Sequence, residues 1–272
     1  MDKKERVDVL LVEKGLFLTR EKAKSAIMAG LVFWEAERIE KSGMKIPASA
    51  NLVVKGAIHP YVGRGGLKLE KALHAFSLDL HGKVMMDIGA STGGFTDCAL
   101  QNGVKMVYAI DVGYNQLDWK LRSDPRVVVM ERTNFRYMES GQLQGEDPDF
   151  ATMDVSFISI KLLLPAVKLL LREGGEFVCL IKPQFEAGRE KVGKSGVVRD
   201  AAVHRDVLTD VLASCAHHGF QLQGLTYSPI TGGEGNIEFL AYFILQQSNQ
   251  MLDEAIDEQI AKIVLEAALH FP

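Results

Sequence analysis

The stretch Val84-Met85-Met86-Asp87-Ile88-Gly89-Ala90-Ser91-Thr92-Gly93-Gly94-Phe95 decides the fold. An apolar run carrying one acid leads into a glycine-rich turn, and an amphipathic segment starts near Phe95. That is the pattern of a buried strand, a tight loop and a helix. Glycine lets a loop backbone come close to a ligand, so a nucleotide-like molecule at the carboxyl end of a parallel strand is expected. Dinucleotide enzymes and nucleoside-triphosphate enzymes use variants of the same pattern, and a strand-turn-helix that binds nothing is the plain alternative. Two details narrow the choice. The spacing is not G-x-G-x-x-G, and no G-K-[ST] follows, which removes the P-loop. A second acid, Asp111, ends the apolar run Lys105-Met106-Val107-Tyr108-Ala109-Ile110. A carboxylate there can accept hydrogen bonds from ribose hydroxyls.

Working outward, strands are expected near 83–89, 105–111, 126–131, 149–155, 176–182, 220–228 and 237–245, and helices near 94–102, 115–122, 158–171 and 200–218. Alternation of this kind predicts an α/β fold, a mostly parallel sheet with helices on both faces. No helix separates the last two strands, so the seventh is expected to run antiparallel. An amphipathic helix over 251–271 closes the chain, with Ile256, Ile260, Ile263 and Val264 on its apolar side.

Composition sets outer limits. The chain has 272 residues, 47% of them hydrophobic and 24% charged, with a formal net charge of -4. The charge is uneven. Residues 1–60 hold 11 basic and 8 acidic residues, whereas the remainder holds 20 basic and 27 acidic. A non-specific polyanion binder is disfavoured, while a local basic face near the N-terminus stays open. Cys98, Cys179 and Cys215 sit in apolar contexts without C-x-x-C spacing, as buried small residues of a reducing compartment do. No apolar run reaches the roughly 18 residues of a membrane helix, and the N-terminus is charged. Cytoplasm is the expected location, with no membrane association and no obligate protein partner.

A helix from Arg6 to Lys14, closed by Gly15, precedes a second from Arg20 with Thr19 as N-cap. Short strands are expected at 31–34 and 51–54. A basic helix face is most simply a solvated one, but the order of residues is more specific. Arg6-Val7-Asp8-x-x-Leu11-Val12-x-x-Gly15-Leu16-x-x-x-Arg20-x-x-Ala23-x-x-x-Ile27-x-x-Gly30-x-Val32 resembles the αL RNA-binding motif of the ribosomal-protein S-four type. The resemblance implies that Arg6, Arg20, Lys24 and the Gly30 turn face RNA phosphates, contacts that orient RNA without selecting sequence. Phe33-Trp34-Glu35-Ala36 departs from the family's usual turn. The expected domains are an αL-type unit over 1–58, a Gly/Pro-rich linker over 59–66 and a larger domain over 67–272.

Ligands of open α/β sheets sit at the carboxyl ends of strands. Asp154 ends the fourth strand, Lys182 the fifth, and Glu238 lies at the start of the antiparallel seventh, on the same rim. Singly, these read as an N-cap, a snorkelling lysine and an edge acid. Together with Lys68 they resemble the Lys-Asp-Lys-Glu tetrad of FtsJ-like RNA ribose 2′-O-methyltransferases, and Asp-x-Gly…Gly-Gly-Phe followed by a strand-end Asp resembles the S-adenosylmethionine site of Rossmann-like methyltransferases. With the N-terminal module, the whole chain is similar to the TlyA family, proteins with a historical haemolysin label that act as ribosomal RNA cytidine 2′-O-methyltransferases. The specific runs are Tyr61-Val62-x-Arg64-Gly65-Gly66-x-Lys68-Leu69, the glycine stretch quoted first, and Asp154-Val155-Ser156-Phe157-Ile158.

That resemblance implies a Rossmann-like seven-stranded methyltransferase sheet behind a small α+β RNA-binding domain, acting on cytidine ribose in 16S or 23S rRNA. Its implied catalytic residues are Lys68, Asp154, Lys182 and Glu238. Lys182 would meet the hydroxyl oxygen as base or stabilising cation. Lys68 would tune its neighbour by like-charge repulsion, and the two acids would orient the ammonium groups. The implied S-adenosylmethionine contacts are Asp87, Gly89, Ser91, Gly93, Gly94, Phe95, Asp111, Asn134 and Asp154, with Asn134 also a candidate helix N-cap. Arg64 joins the RNA contacts. No metal is expected. The basic loop over 186–199 is expected to be mobile and to close on a flipped-out nucleotide. The alternatives are a membrane-active haemolysin, an RNA-binding protein without catalysis, and, for the glycine loop alone, a NAD-dependent dehydrogenase.

Overall fold

A computed structural model describes residues 4–28, 30–35, 37–55, 59–246 and 254–271. The chain divides into two compact units, Met1–Arg64 and Gly65–Pro272.

In the first unit, β1 (Lys4–Arg6) leads directly into α1 (Val7–Glu13), and α2 (Arg20–Met28) follows. β2 (Val32–Trp34), β3 (Glu37–Arg38), β4 (Lys45–Pro47) and β5 (Leu52–Val54) complete it. β1 pairs antiparallel with β4, and the remaining strands form a sheet in the order β3-β2-β5. Val7, Leu11, Ala23, Ile27, Val32 and Ile46 share one buried core. Arg6 therefore ends a strand instead of starting the expected helix, because its backbone is paired opposite Lys45. Thr19 caps α2 as expected, its Oγ1 accepting from the Lys22 amide at 3.2 Å.

The second unit opens with α3 (Gly66–Ala75), then β6 (Val84–Ile88), α4 (Gly94–Gln101), β7 (Met106–Ile110), α5 (Trp119–Arg122), β8 (Val127–Met130) and β9 (Phe150–Met153). α6 (Leu164–Leu170), β10 (Glu176–Ile181), α7 (Pro183–Glu186), α8 (Ala201–His217), β11 (Phe220–Tyr227), β12 (Phe239–Leu245) and α9 (Glu254–His270) follow. Seven strands form one sheet in the order β11-β12-β10-β9-β6-β7-β8. β6 to β10 run parallel, and β12 is antiparallel to both of its neighbours. Alternation along β6 splits its side chains: Val84, Met86 and Ile88 join the large core that includes α8 and α9. α3 and α4 pack against each other on the sheet.

Two helices are shorter than their apolar periodicity suggests. The segment expected to be helical from 115 begins only at Trp119, because the amides of Asn115, Gln116 and Leu117 donate to the Glu131 carboxylate. The helix expected over 158–171 is a 3-10 turn, Ile160–Leu162, followed by α6, with Pro165 at its N-terminal turn. α7 has no counterpart among the expected helices. The start of the last helix lies outside the described residues, and the described part packs Ile256, Ile260 and Val264 into the main core.

β6 has β7 on one side and β9 on the other, and the chain reverses its direction of winding between them. This is the topological switch point, where a crevice opens at the carboxyl ends of the strands.

Candidate active site

At that crevice the glycine loop comes very close to β9. Gly89 has φ +85°, and a Cβ there would meet the Asp154 carbonyl oxygen at 2.5 Å. Only glycine allows both the conformation and the approach. The loop is also held from the other side. Ser91 takes φ 50°, and its amide donates to Asp111 Oδ2 at 2.8 Å, while Gly113 N donates to Asp111 Oδ1 at 2.7 Å.

The space enclosed is a cavity of about 400 Å³. Ile110, Val112, Phe135, Val155 and Leu163 give it apolar walls, and Ser91, Asp111, Gln116, Asn134 and Asp154 bring polar groups to it. A pocket of this size with few convergent polar groups suits a small organic ligand. The residues fit S-adenosylmethionine: apolar walls for a purine, a strand-end carboxylate for ribose hydroxyls, and the Asp154 carboxylate for a cationic sulfonium. Asp111 already accepts two backbone amides, but each carboxylate oxygen can accept a further hydrogen bond. Asn134 has two roles in the structure. It lines the cavity and caps the turn Phe135–Tyr137, accepting from Arg136 N.

Four expected cofactor contacts do not line this cavity. Asp87 is fully buried below the loop, accepting from Thr96 Oγ1 at 2.7 Å and Thr152 Oγ1 at 3.0 Å, so its oxygens are committed inside the sheet. Burial pushes its pKa up to about 6, against the opposing pull of the two threonine hydroxyls. Gly93 faces Leu117 and Leu121; a Cβ there would lie 2.1 Å from Leu121 Cδ1. Gly94 and Phe95 are buried in the first turn of α4.

The four charged residues expected at the rim do meet. Glu238 Oε2 lies 2.7 Å from Lys68 Nζ, Lys68 Nζ lies 3.5 Å from Asp154 Oδ2, and Asp154 Oδ1 lies 2.5 Å from Lys182 Nζ. Lys182 Nζ also donates to Ser156 Oγ at 3.0 Å. Lys68, Lys182 and Glu238 are buried. Burial alone would raise the Asp154 pKa, but the flanking Lys68 and Lys182 ammonium groups more than offset it and hold the carboxyl below its usual value. Asp154 thus stands between the two lysines, and Lys68 meets two carboxylates, those of Asp154 and Glu238.

Two neighbours carried no assignment from sequence. Ser156 is the second partner of Lys182. Phe157 is 91% exposed, has φ 65°, and sets its ring 5.0 Å from that of Phe185. A bulky side chain in that conformation is a backbone outlier of the kind found at functional sites. Their signal was contiguity with Asp154 at a strand end.

The basic loop is tied down. Val197 and Val198 are buried, Val198 N donates to Asn236 Oδ1 at 3.0 Å, Asn236 Nδ2 donates to Gly196 O at 2.9 Å, and Lys191 pairs with Asp206 at 2.9 Å. These contacts anchor the C-terminal end of the loop, while residues 188–191 and 193–196 are exposed. In the first unit, Arg6 and Arg20 both turn toward the buried Asp8, at 2.9 Å each. Lys24 is half-buried and Arg64 exposed. Among the described residues no cluster of His, Cys, Asp and Glu could hold a metal ion, and no helix is long and apolar enough to cross a membrane.

Comparison with known proteins agrees with this geometry. Residues 61–244 match the FtsJ-like methyltransferase family. A Bacillus subtilis protein named "Putative rRNA methyltransferase YqxC" is 57% identical over 97% of this chain and 94% of its own length. The 16S/23S rRNA (cytidine-2′-O)-methyltransferase TlyA of Mycobacterium tuberculosis is 36% identical over 98% of this chain and 99% of its own length. A solved structure described as "Putative hemolysin from Streptococcus thermophilus" is 51% identical and superposes with a TM-score of 0.79, covering 100% of this chain and 98% of that one. With its mostly parallel sheet, loop cavity and rim of alternating charges, this chain belongs to the FtsJ-like methyltransferases and, among them, to the TlyA family.

Proposed function

We propose that this methyltransferase transfers a methyl group from S-adenosylmethionine to the 2′-hydroxyl of a cytidine in 16S or 23S ribosomal RNA. The observation that carries the reading is the string Glu238–Lys68–Asp154–Lys182, whose member Asp154 also lines the cofactor-sized cavity. The cofactor supplies an electrophilic methyl on a sulfonium. The protein must present a poor nucleophile to it and manage one proton. Lys182 Nζ has three donor positions, and Asp154 and Ser156 engage two. The remaining one meets the ribose 2′-oxygen. There the amine either takes the hydroxyl proton or, as ammonium, stabilises the oxygen as negative charge develops. Lys68, clamped by Asp154 and Glu238, holds the Asp154 carboxylate in place. Orientation of this kind contributes as much as proton transfer does.

The first unit would hold the RNA through Arg6, Arg20, Lys24 and Arg64. Asp8 gives the first two a fixed orientation and leaves guanidinium edges for phosphate oxygens. A ribosomal RNA substrate implies action in the cytoplasm.

The test is incubation of the full chain with labelled S-adenosylmethionine and ribosomal subunits, followed by nuclease digestion and mass spectrometry. The expected product is 2′-O-methylcytidine. Label on a base, on protein only, or on nothing overturns the reading. Lysis of lipid vesicles by the pure protein would favour the haemolysin alternative.

A further inference from the structure

The two segments that carry the reactive pair are joined by a second bridge. Asp154, Ser156 and Phe157 leave β9; Lys182 and Phe185 leave β10. Glu186, the last residue of α7, reaches back across the gap. Ser159 Oγ donates to Glu186 Oε2 at 2.6 Å, and the Ile160 amide donates to Oε1 at 2.8 Å. Ser159 is itself the cap of the 3-10 turn Ile160–Leu162, accepting from Lys161 N at 3.3 Å. The Glu186 carboxylate is half-buried, and burial pushes its pKa up against those two hydrogen bonds.

Between the two bridges lies Phe157 with its left-handed backbone. A bulky residue stays in that conformation only when its surroundings over-determine it. On one side, the Lys182 ammonium holds Asp154 and Ser156. On the other, Glu186 holds Ser159 and Ile160. Both bridges therefore flank the strained residue.

We propose that Glu186 is a positioning residue for methyl transfer: its carboxylate staples the 155–160 segment to α7 and so fixes the Ser156 and Asp154 oxygens that aim Lys182 Nζ. This rests on the ribose-methylation reading above. A purely structural cap would lower the melting temperature when removed and leave turnover at saturation unchanged. A positioning residue acts on turnover, since small misplacement of a reacting group is costly.

The test compares the full-length parent with Glu186→Ala, Glu186→Gln, Ser159→Ala and the Ser159→Ala/Glu186→Ala double variant, on ribosomal subunits with labelled S-adenosylmethionine. At saturating substrates, Glu186→Ala should lose about 10- to 100-fold in kcat, while the cofactor Kd rises by no more than about threefold because Asp111, Ser91 and Asn134 hold it from other strands. Glu186→Gln, keeping one acceptor oxygen and the shape, should fall between. The double variant should cost no more than Glu186→Ala alone, as expected for two members of one bridge. Hydrogen exchange at amides 155–160 should quicken in Glu186→Ala and stay unchanged in the central strands.

A folded Glu186→Ala with parental kcat overturns the proposal, as does a kcat loss that only tracks a fall in folded protein. Should Glu186→Ala not fold, Glu186→Gln carries the same comparison. If the parent itself transfers no methyl to RNA, the functional reading falls instead. The staple is then judged by exchange alone, and unchanged exchange at 155–160 overturns it.

Discussion

Lys182 Nζ lies 2.5 Å from Asp154 Oδ1, while the other oxygen of the same carboxylate faces Lys68 Nζ at 3.5 Å. One acid thus serves two cations at the edge of the cavity. Lys182→Ala is expected to cut methyl transfer by about 10²–10⁴-fold while leaving cofactor affinity near parental. Isothermal titration and a label-transfer assay on the same preparation check both halves. Asp154→Asn should also destabilise the fold, by about 3 kcal/mol, because two ammonium groups lose their shared counter-charge.

Asp87 offers a pH test that is independent of catalysis. Its folded-state pKa, about 6, lies above the usual 3.8. The folded protein therefore binds a proton in a range where the unfolded chain does not, and this group's contribution to stability falls as pH rises from about 4 to 6. Asp87→Asn should remove that slope. At pH 7 the variant is expected to be at least as stable as the parent, by up to about 3 kcal/mol if Thr96 and Thr152 keep their partners. Thermal melts of both proteins at pH 4.5 and pH 7.5 read the difference; an unchanged slope in the variant would contradict the assignment.

Phe157 is expected to act on RNA and not on the fold. Its side chain is 91% exposed, so Phe157→Ala should change stability by less than about 0.5 kcal/mol. An exposed ring, packed against Phe185, whose own ring lies 6.0 Å from Lys182 Nζ, can stack on a nucleobase, an interaction worth about 1–3 kcal/mol per base. At saturating cofactor the variant should show a raised RNA KM or a reduced kcat in steady-state assays, the saturation being needed because Phe157 also lines the cavity. A variant with parental kinetics would remove Phe157 from the site.

Asp8 makes a prediction whose sign separates positioning from bulk charge. Its carboxylate accepts from Arg6 and Arg20, and these bonds, the Arg6 one foremost, hold its pKa well below the usual carboxylate range. That stabilisation is present above pH 4 and is lost as pH falls toward the depressed folded value. Asp8→Asn adds net positive charge, which by electrostatics alone strengthens RNA binding. Loss of the fixed arginine geometry should weaken it instead, with a stability cost of about 1–3 kcal/mol, modest because both guanidinium groups reach solvent. Filter binding at two salt concentrations, with the Lys22→Gln protein as a charge control, distinguishes the outcomes.

Periodicity was enough to read the main sheet. Short apolar runs such as Val84 to Ile88, with its one acid, and Phe177 to Ile181 are bounded by glycine or proline turn signals as buried strands are, and the missing helix between β11 and β12 implies an antiparallel return. Residue chemistry at strand ends was equally legible: Asp154, Lys182 and Glu238 stand where parallel topology puts a ligand, and the rim brings them together with Lys68. Hydrogen bonds between distant segments were not legible. Glu131 reaches back to the amides of Asn115 and Gln116 and so prevents a helix that local pattern favours, and Lys45 pairs with Arg6 to turn a helix start into a strand. Sequence thus determined which residues are buried and which rim is charged, because burial and alternation are local properties of the chain. Tertiary structure alone decided that Asp87 is committed to Thr96 and Thr152, that Asp154 lies between the two lysines, and that Glu186 ties α7 to the segment after β9. Each of these depends on the partner that a side chain meets across the fold, and spacing along the chain does not encode it.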